Sequence, residues 1–206
     1  MAAPLIRIED HPFILASASP RRQELLSRIS LTPDEISPAD IDETRKRDEK
    51  PADLAGRLAR EKARVIAAPH SESFILAADT VAAAGRRELT KPETEEQARA
   101  WLRLLSGRRH RIHGGICLIS PDGRESSRIV TTMVQFKRLS APEIEGYLAT
   151  GEWDGKAGGY AIQGYAELFV KAIQGSHSNV VGLSLYDVMQ LMIGAGMVKW
   201  VRDDKR

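Results

Sequence analysis

Along the chain, short apolar runs alternate with stretches in which apolar residues recur every three or four positions, the pattern of strands that feed helices. Phe13-Ile-Leu15 reads as a strand, four small residues follow, and Ser19 with Pro20 marks the N-cap and first position of a helix. Leu31 to Lys50 is polar and rich in acids, so a second short strand and a loop are expected there, with Asp40-Ile-Asp-Glu43 as the most ordered part. From Pro51 to Ala68 the period is helical, and Ala55, Leu58, Val65 and Ile66 form one stripe that also holds Lys62. Phe74 to Ala78 is an apolar run of strand length that ends at Asp79-Thr80, before Val81 resumes it.

A turn at Gly85-Arg-Arg87 leads to Lys91-Pro92 and to a helix opened by Thr94, with Ala98, Trp101, Leu102 and Leu105 inward and Gly107 as its stop. Arg109–Ile119 and Ser126–Lys137 flank Pro121-Asp-Gly123 and are expected to pair as antiparallel strands, the second half-exposed by its alternation. Ser140 opens a capped helix carrying Ile144, Tyr147 and Leu148. Gly151 to Gly164 is too dense in glycine for a regular element, which implies close backbone approach to a strand or a ligand. Leu168–Ile173 reads as a strand, Gly175–Asn179 as a loop, and Ser184 starts a last helix with Val188, Leu191 and Met192 inward.

Composition narrows the class. At 206 residues, 42% hydrophobic and 28% charged, the chain can bury a full core as one domain or as two lobes around a cleft. The net charge of +2 is interspersed, so an extended nucleic-acid surface is not expected. A single cysteine, Cys117, rules out an internal disulfide framework and suits a reducing cytoplasm, the expected location. The start of the chain lacks the order of a signal peptide, and no apolar run approaches the ~18 residues of a membrane helix, so no membrane association is expected.

The helix at Pro20 carries the first unusual chemistry. A helix N-terminus holds unpaired N–H groups and partial positive charge and attracts acids, yet its first turn holds Arg21 and Arg22. An anion between those N–H groups and guanidinium forks reverses the penalty, which suggests a polyphosphate site; solvated arginines paired with distant carboxylates are the alternative. Lys62 in an apolar stripe either snorkels to the core edge or reaches an anion in a cleft. Asp79 either caps a turn or is a rigidly placed acid at the carboxyl edge of a sheet. Ser17, Arg21, Arg22, Glu43, Lys62, Asp79 and Lys91 lie on separate segments, and together they suit a nucleotide: cations on phosphates, carboxylates on a divalent metal and water. Oxygen donors favour Mg²⁺ over zinc. No Walker-type loop, dinucleotide fingerprint or nucleophile elbow is present, and His110 and His113, three apart on a strand, face opposite sides and cannot share a metal.

Ser17-Ala-Ser-Pro-Arg-Arg-Gln-Glu-Leu-Leu26, Ala78-Asp-Thr-Val81, Lys91-Pro92, Leu105-Ser-Gly-Arg-Arg-His110, Lys156-Ala-Gly158, Ile162-Gln-Gly164 and Ser178-Asn-Val-Val-Gly-Leu183 together resemble the Maf family of nucleoside triphosphate pyrophosphatases. The resemblance implies an α/β fold, a mixed central sheet flanked by helices in two lobes around a cleft, related to the inosine-triphosphate pyrophosphatases. It implies a residue 1–12 extension before a single Maf-like domain over 13–206, a possible homodimer, and metal-dependent (Mg²⁺ or Mn²⁺) house-cleaning hydrolysis of a triphosphate to monophosphate and pyrophosphate. Asp79 resembles the general base, with Glu43 as its partner at the metal; Ser17, Arg22, Lys62 and Lys91 resemble phosphate contacts. At three positions that differ between branches, Arg21, Thr80 and Gln163 match the dTTP/UTP branch, and the Gln163 amide offers a donor and an acceptor to the imide edge of uracil or thymine. The alternatives are a 7-methyl-GTP pyrophosphatase of the same family and a non-catalytic nucleotide-binding regulator of septum formation. Gly155, His113, His177 and Ser184 depart from the family's common Asp, Thr, Tyr and Pro, and Trp153 enlarges the same loop as Gly155.

Overall fold

The computed structural model describes residues 5–8 and 11–201; the remaining parts of the expected extension and domain lie outside the described residues. The main sheet has seven strands: β2 (Phe13–Leu15), β3 (Glu35–Ile36), β4 (Phe74–Ala84), β5 (Arg87–Leu89), β6 (Arg109–Ile119), β7 (Glu125–Phe136) and β8 (Val170–Gln174). Their order is β3-β2-β4-β6-β7-β8, with β5 also on β4. β2 runs parallel to β3 and β4, whereas β5 to β8 pair antiparallel, so the sheet is mixed. A separate pair joins β1 (Leu5–Arg7) to β9 (Val198–Trp200), neither of which the hydrophobic pattern had suggested.

Helix α1 (Pro20–Ser27) follows β2, and its Leu25 and Leu26 enter the large core on one face of the sheet. On the other face lies α2 (Pro51–Ala67), which buries Leu54, Ala55, Leu58, Ala59, Lys62, Ala63 and Ile66. Val65 is a correction: it is 47% exposed, because the buried stripe advances by three and four residues through Ala59, Lys62, Ala63 and Ile66 and leaves position 65 on its outer flank. Small residues let α2 lie directly on β6, where a Cβ placed on Gly115 would stand 1.9 Å from the Ala55 carbonyl oxygen.

β5, α3 (Glu95–Leu105), α4 (Ala141–Leu148) and the 151–169 segment pack together, and the helices join the same core as α1. Thr94 caps α3 by accepting from Gln97 N at 3.2 Å, and Gln97 Oε1 reaches past the N-cap to accept from Glu93 N at 2.8 Å. Ala98, Trp101, Leu102 and Leu105 are buried as their spacing predicts, as are Ile144, Tyr147 and Leu148 in α4. The glycine-dense segment winds through short 3₁₀ turns at Ala157–Gly159 and Tyr165–Phe169, so Leu168 and Phe169 belong to a turn and not to the expected strand, which starts at Val170. Gly175–Asn179 differs as well: Ser176 caps α5 (His177–Val181) by accepting from Asn179 N, so the expected loop becomes a short helix. Helix α6 (Leu185–Gly194) buries Val188, Leu191 and Met192.

The close crossing of α2 over β6 yields a paired prediction. Gly115→Ala is expected to lower the unfolding free energy by about 3 kcal/mol, since the new methyl meets backbone that cannot yield. Gly146→Ala, in open space on α4, is expected to raise it by about 0.5–1 kcal/mol through helix propensity. Urea unfolding of both variants measures the contrast, and a neutral Gly115→Ala would contradict the crossing.

Candidate active site

The carboxylate at position 79 owes its place to a gap in the sheet. β4 does not end at Asp79, as its apolar run suggests; it continues to Ala84, and what ends is its neighbour. β2 pairs with β4 only over Phe74–Leu76 and β5 only over Ala82–Ala84, while β6 pairs from Ile75 to Ala83. Residues 77–81 therefore have a ladder partner on one side only. Asp79 and Thr80 sit in this opening, and strand alternation sends their side chains to opposite faces. The cavity that straddles the opening has a volume of about 730 Å³.

On the α2 face, Lys62 Nζ lies 2.6 Å from Asp79 Oδ1 and 2.6 Å from Glu43 Oε1. Lys62 and Asp79 are each 9% exposed, so removing the ammonium would leave a buried carboxylate uncompensated, at a cost of about 3–5 kcal/mol. Lys62 thus neither snorkels out nor waits for an external anion: its anions are protein carboxylates. Glu43 comes from a loop and its side chain is 56% exposed.

On the opposite face, Arg22 spans three segments. Its Nη1 donates to Ser17 Oγ at 2.7 Å, Nη2 to Thr80 Oγ1 at 3.2 Å, and Nε to the Gly182 carbonyl at 2.9 Å. Those bonds use three of its five N–H groups, leaving two for a ligand. Burial, partly offset by Asp79, holds the guanidinium below its ordinary range. Thr80, read from sequence as a selector of the base, is here an acceptor that orients Arg22.

All nine sequence-predicted residues, Ser17, Arg21, Arg22, Glu43, Lys62, Asp79, Thr80, Lys91 and Gln163, line the one cavity. Four further lining groups were missed. Lys156 projects from the glycine-dense loop, which was itself the signal; burial holds its ammonium below the usual lysine range, and Arg21 and Lys91 add to the effect. Glu88 on β5 has its carboxyl raised by burial, with Asp79 contributing. Gly182, inside the Ser178–Leu183 motif, contributes its main-chain carbonyl, a role its residue type does not mark. Tyr160 is buried and hydrogen-bonded to His110 Nε2 at 2.7 Å. His110 and His113 do face opposite sides of β6, the latter meeting Thr131 Oγ1 at 2.9 Å. Among the described residues no carboxylate forms an ion pair with Arg21, Lys91 or Lys156, so carboxylates gather around Lys62 and cations without such a pair line the rest of the cleft.

An α/β sheet opened at one strand, with acids and cations facing each other across the opening, defines a protein whose cleft suits a polyanion. The family described as Maf-like protein matches residues 12–195, and the chain belongs to the Maf family. It is 58% identical to the dTTP/UTP pyrophosphatase of Paramagnetospirillum magneticum over 183 residues, 89% of this chain and 96% of that one. It is 56% identical to the dTTP/UTP pyrophosphatase of Caulobacter vibrioides, covering 89% and 95%, and 55% identical to that of Zymomonas mobilis, covering 89% and 91%. Among solved structures, a HAM1 protein from Coxiella burnetii aligns at a TM-score of 0.42 and 19% identity, over 63% of this chain and 74% of that one, too slight a likeness to bear weight. No helix among the described residues is long and apolar enough to cross a membrane.

The buried His110 makes stability depend on pH. Burial pushes its pKa down to about 4, so from the ordinary value near 6.5 down to 4 the unfolded chain binds a proton that the folded one does not. Stability is therefore lost as pH falls through that window, by about 1.4 kcal/mol per unit. Unfolding free energies from urea titrations at pH 7 and pH 5 should differ by about 2 kcal/mol more in the wild type than in His110→Gln; equal differences would contradict a neutral buried imidazole.

Proposed function

We propose that the protein hydrolyses dTTP and UTP to the monophosphate and pyrophosphate. The observation that carries the reading is the cleft itself, in which Asp79 and Lys62 face Arg21, Arg22, Lys91 and Lys156 across one cavity; the relatives' shared name supplies the substrate class. In the reaction, water oxygen bonds to the α-phosphorus, the bond from that phosphorus to the α–β bridging oxygen breaks, and pyrophosphate departs. Asp79, held at 2.6 Å by Lys62, accepts the water's proton. Arg21, Arg22, Lys91 and Lys156 bind phosphate oxygens and stabilise the charge that moves onto pyrophosphate. Ser17 supports this from its contact with Arg22, and Gln163 at the mouth of the cleft meets the imide edge of the base.

A divalent cation, Mg²⁺ or Mn²⁺, fits the carboxylate end. Glu43 and Asp79 already bracket a positive charge, Lys62 Nζ at 2.6 Å from each, and hard oxygen donors suit these ions. Among the described residues no third acid or histidine joins them, which suits a metal that keeps water and phosphate oxygens as its other ligands. Bound there, the ion would neutralise phosphate charge and polarise water.

The deciding experiment is a panel of normal and modified triphosphates with Mg²⁺ or Mn²⁺, scored for pyrophosphate release; turnover led by 7-methyl-GTP would replace the pyrimidine reading. Asp79→Asn is expected to reduce kcat about 10³-fold with an unchanged circular-dichroism spectrum, and full turnover in that variant would remove Asp79 from proton transfer. Gln163→Glu is expected to shift the UTP to 7-methyl-GTP ratio of kcat/KM by about tenfold or more against UTP. An unchanged ratio would mean that the base is read elsewhere.

A further inference from the structure

Of the two carboxylates at Lys62, Asp79 is fixed by a central strand, but Glu43 is not. Residues 37–46 carry no helix or strand, and a side chain 56% exposed is not held by packing. What does tie this loop down is Arg57, whose side chain is only 12% exposed. Its Nε donates to Glu49 Oε1 at 2.7 Å and its Nη2 to Glu49 Oε2 at 3.0 Å, a two-pronged pair, while Nη1 donates to Glu61 Oε2 at 2.9 Å. Nη2 also donates to the carbonyl of Thr44 at 3.0 Å, the residue directly after Glu43. Glu49 accepts from Lys46 N at 3.0 Å, and its own carbonyl accepts from Arg45 Nε at 2.6 Å, so residues 44–46 are tied to the same point as Glu49.

An exposed ion pair would contribute little, but Glu49 here is only 10% exposed and the guanidinium also grips main chain. Arg57 and Lys62 stand on the same helix, so the anchor of the loop and the ammonium that its carboxylate meets share one rigid frame. Arg57 is absent from the lining of the cleft.

We propose that Arg57 is a positioning residue, which through Glu49 and the Thr44 carbonyl delivers Glu43 to Lys62 and Asp79. The proposal rests on the reading of Glu43 as part of the hydrolytic site. Its action is indirect: without the clamp the loop samples other conformations and the acid pair is populated only part of the time. Lysine cannot replace the fork, because a single ammonium has no planar pair of donors for one carboxylate and a further donor for the carbonyl.

The test measures kcat/KM for UTP in Arg57→Ala, Arg57→Lys, Glu49→Gln, Glu43→Gln and the Arg57→Ala/Glu43→Gln double variant, with hydrogen exchange of the full-length protein at the Thr44 and Lys46 amides. Arg57→Ala is expected to lose about a hundredfold in kcat/KM, the scale of a misplaced catalytic group. Glu49→Gln should lose less, and Arg57→Lys should recover only part. Adding Arg57→Ala to Glu43→Gln should change turnover by less than about twofold, because both remove one function, and loop exchange should accelerate in Arg57→Ala while β4 amides stay protected. Losses that multiply in the double variant, wild-type turnover in Arg57→Ala, or unchanged loop exchange would each overturn the proposal. Wild-type turnover in Glu43→Gln alone would instead sink the reading of Glu43 and with it the catalytic purpose of the clamp; faster loop exchange in Arg57→Ala would then still show that Arg57 holds the loop. Should Arg57→Ala fail to fold, Glu49→Gln, which keeps an acceptor, gives the same readouts: an unchanged kcat/KM or unchanged loop exchange in it would overturn the proposal.

Discussion

A strand that loses its neighbour on one edge keeps a row of main-chain groups unpaired, and such an edge in the middle of a sheet must be justified by what fills it. In β4 the opening spans 77–81, between the end of β2 and the start of β5, while β6 holds the other edge without interruption. Everything in the cleft follows from that interruption. The chain leaving β2 supplies Ser17 and, in the first turn of α1, Arg21 and Arg22; the chain leading out of β5 supplies Lys91. The open edge exposes consecutive residues of β4 on both faces, so an acid and a hydroxyl adjacent in sequence serve opposite walls of one cavity.

The charge arrangement is lopsided by construction. Lys62 is satisfied by two carboxylates, whereas Arg21, Lys91 and Lys156 stand together without an acidic partner among the described residues. Like charges repel, and burial strips hydration from Arg21 and Lys156, so the cation end of the cleft carries unfavourable energy. A polyanion relieves both effects, and whatever binds the folded form alone raises its stability by mass action. The stored repulsion is the electrostatic counterpart of the open edge: both are deficits that a ligand makes good.

Much of this was legible in the sequence because the relevant signals are local. The Ser19–Pro20 start, the Thr94 and Ser140 caps and the inward faces of α3, α4 and α6 depend on neighbouring residues and appear where spacing puts them. The cleft residues were legible as chemical oddities, cations at a helix N-terminus and an acid within an apolar run. What was not legible is non-local. Asp79 was read as a strand end because the sequence shows composition and not pairing, and the feature that ends there belongs to β2. Val65 and the α5 segment turned on which flank a helix buries and on a cap from Ser176, both decided by packing. Gly182 contributes through its carbonyl, which every residue possesses, and Thr80 through its hold on Arg22 across a separation of 58 residues.

The bond from Arg22 to the Gly182 carbonyl closes a loop of 160 residues. During synthesis the first half of the phosphate-facing wall emerges early, yet its guanidinium has no completed socket until α5 and the turn beyond it have left the ribosome. A nascent chain therefore carries Arg22 long before all three of its partners are present. In this fold, a completed socket for Arg22 reports that synthesis has passed Gly182.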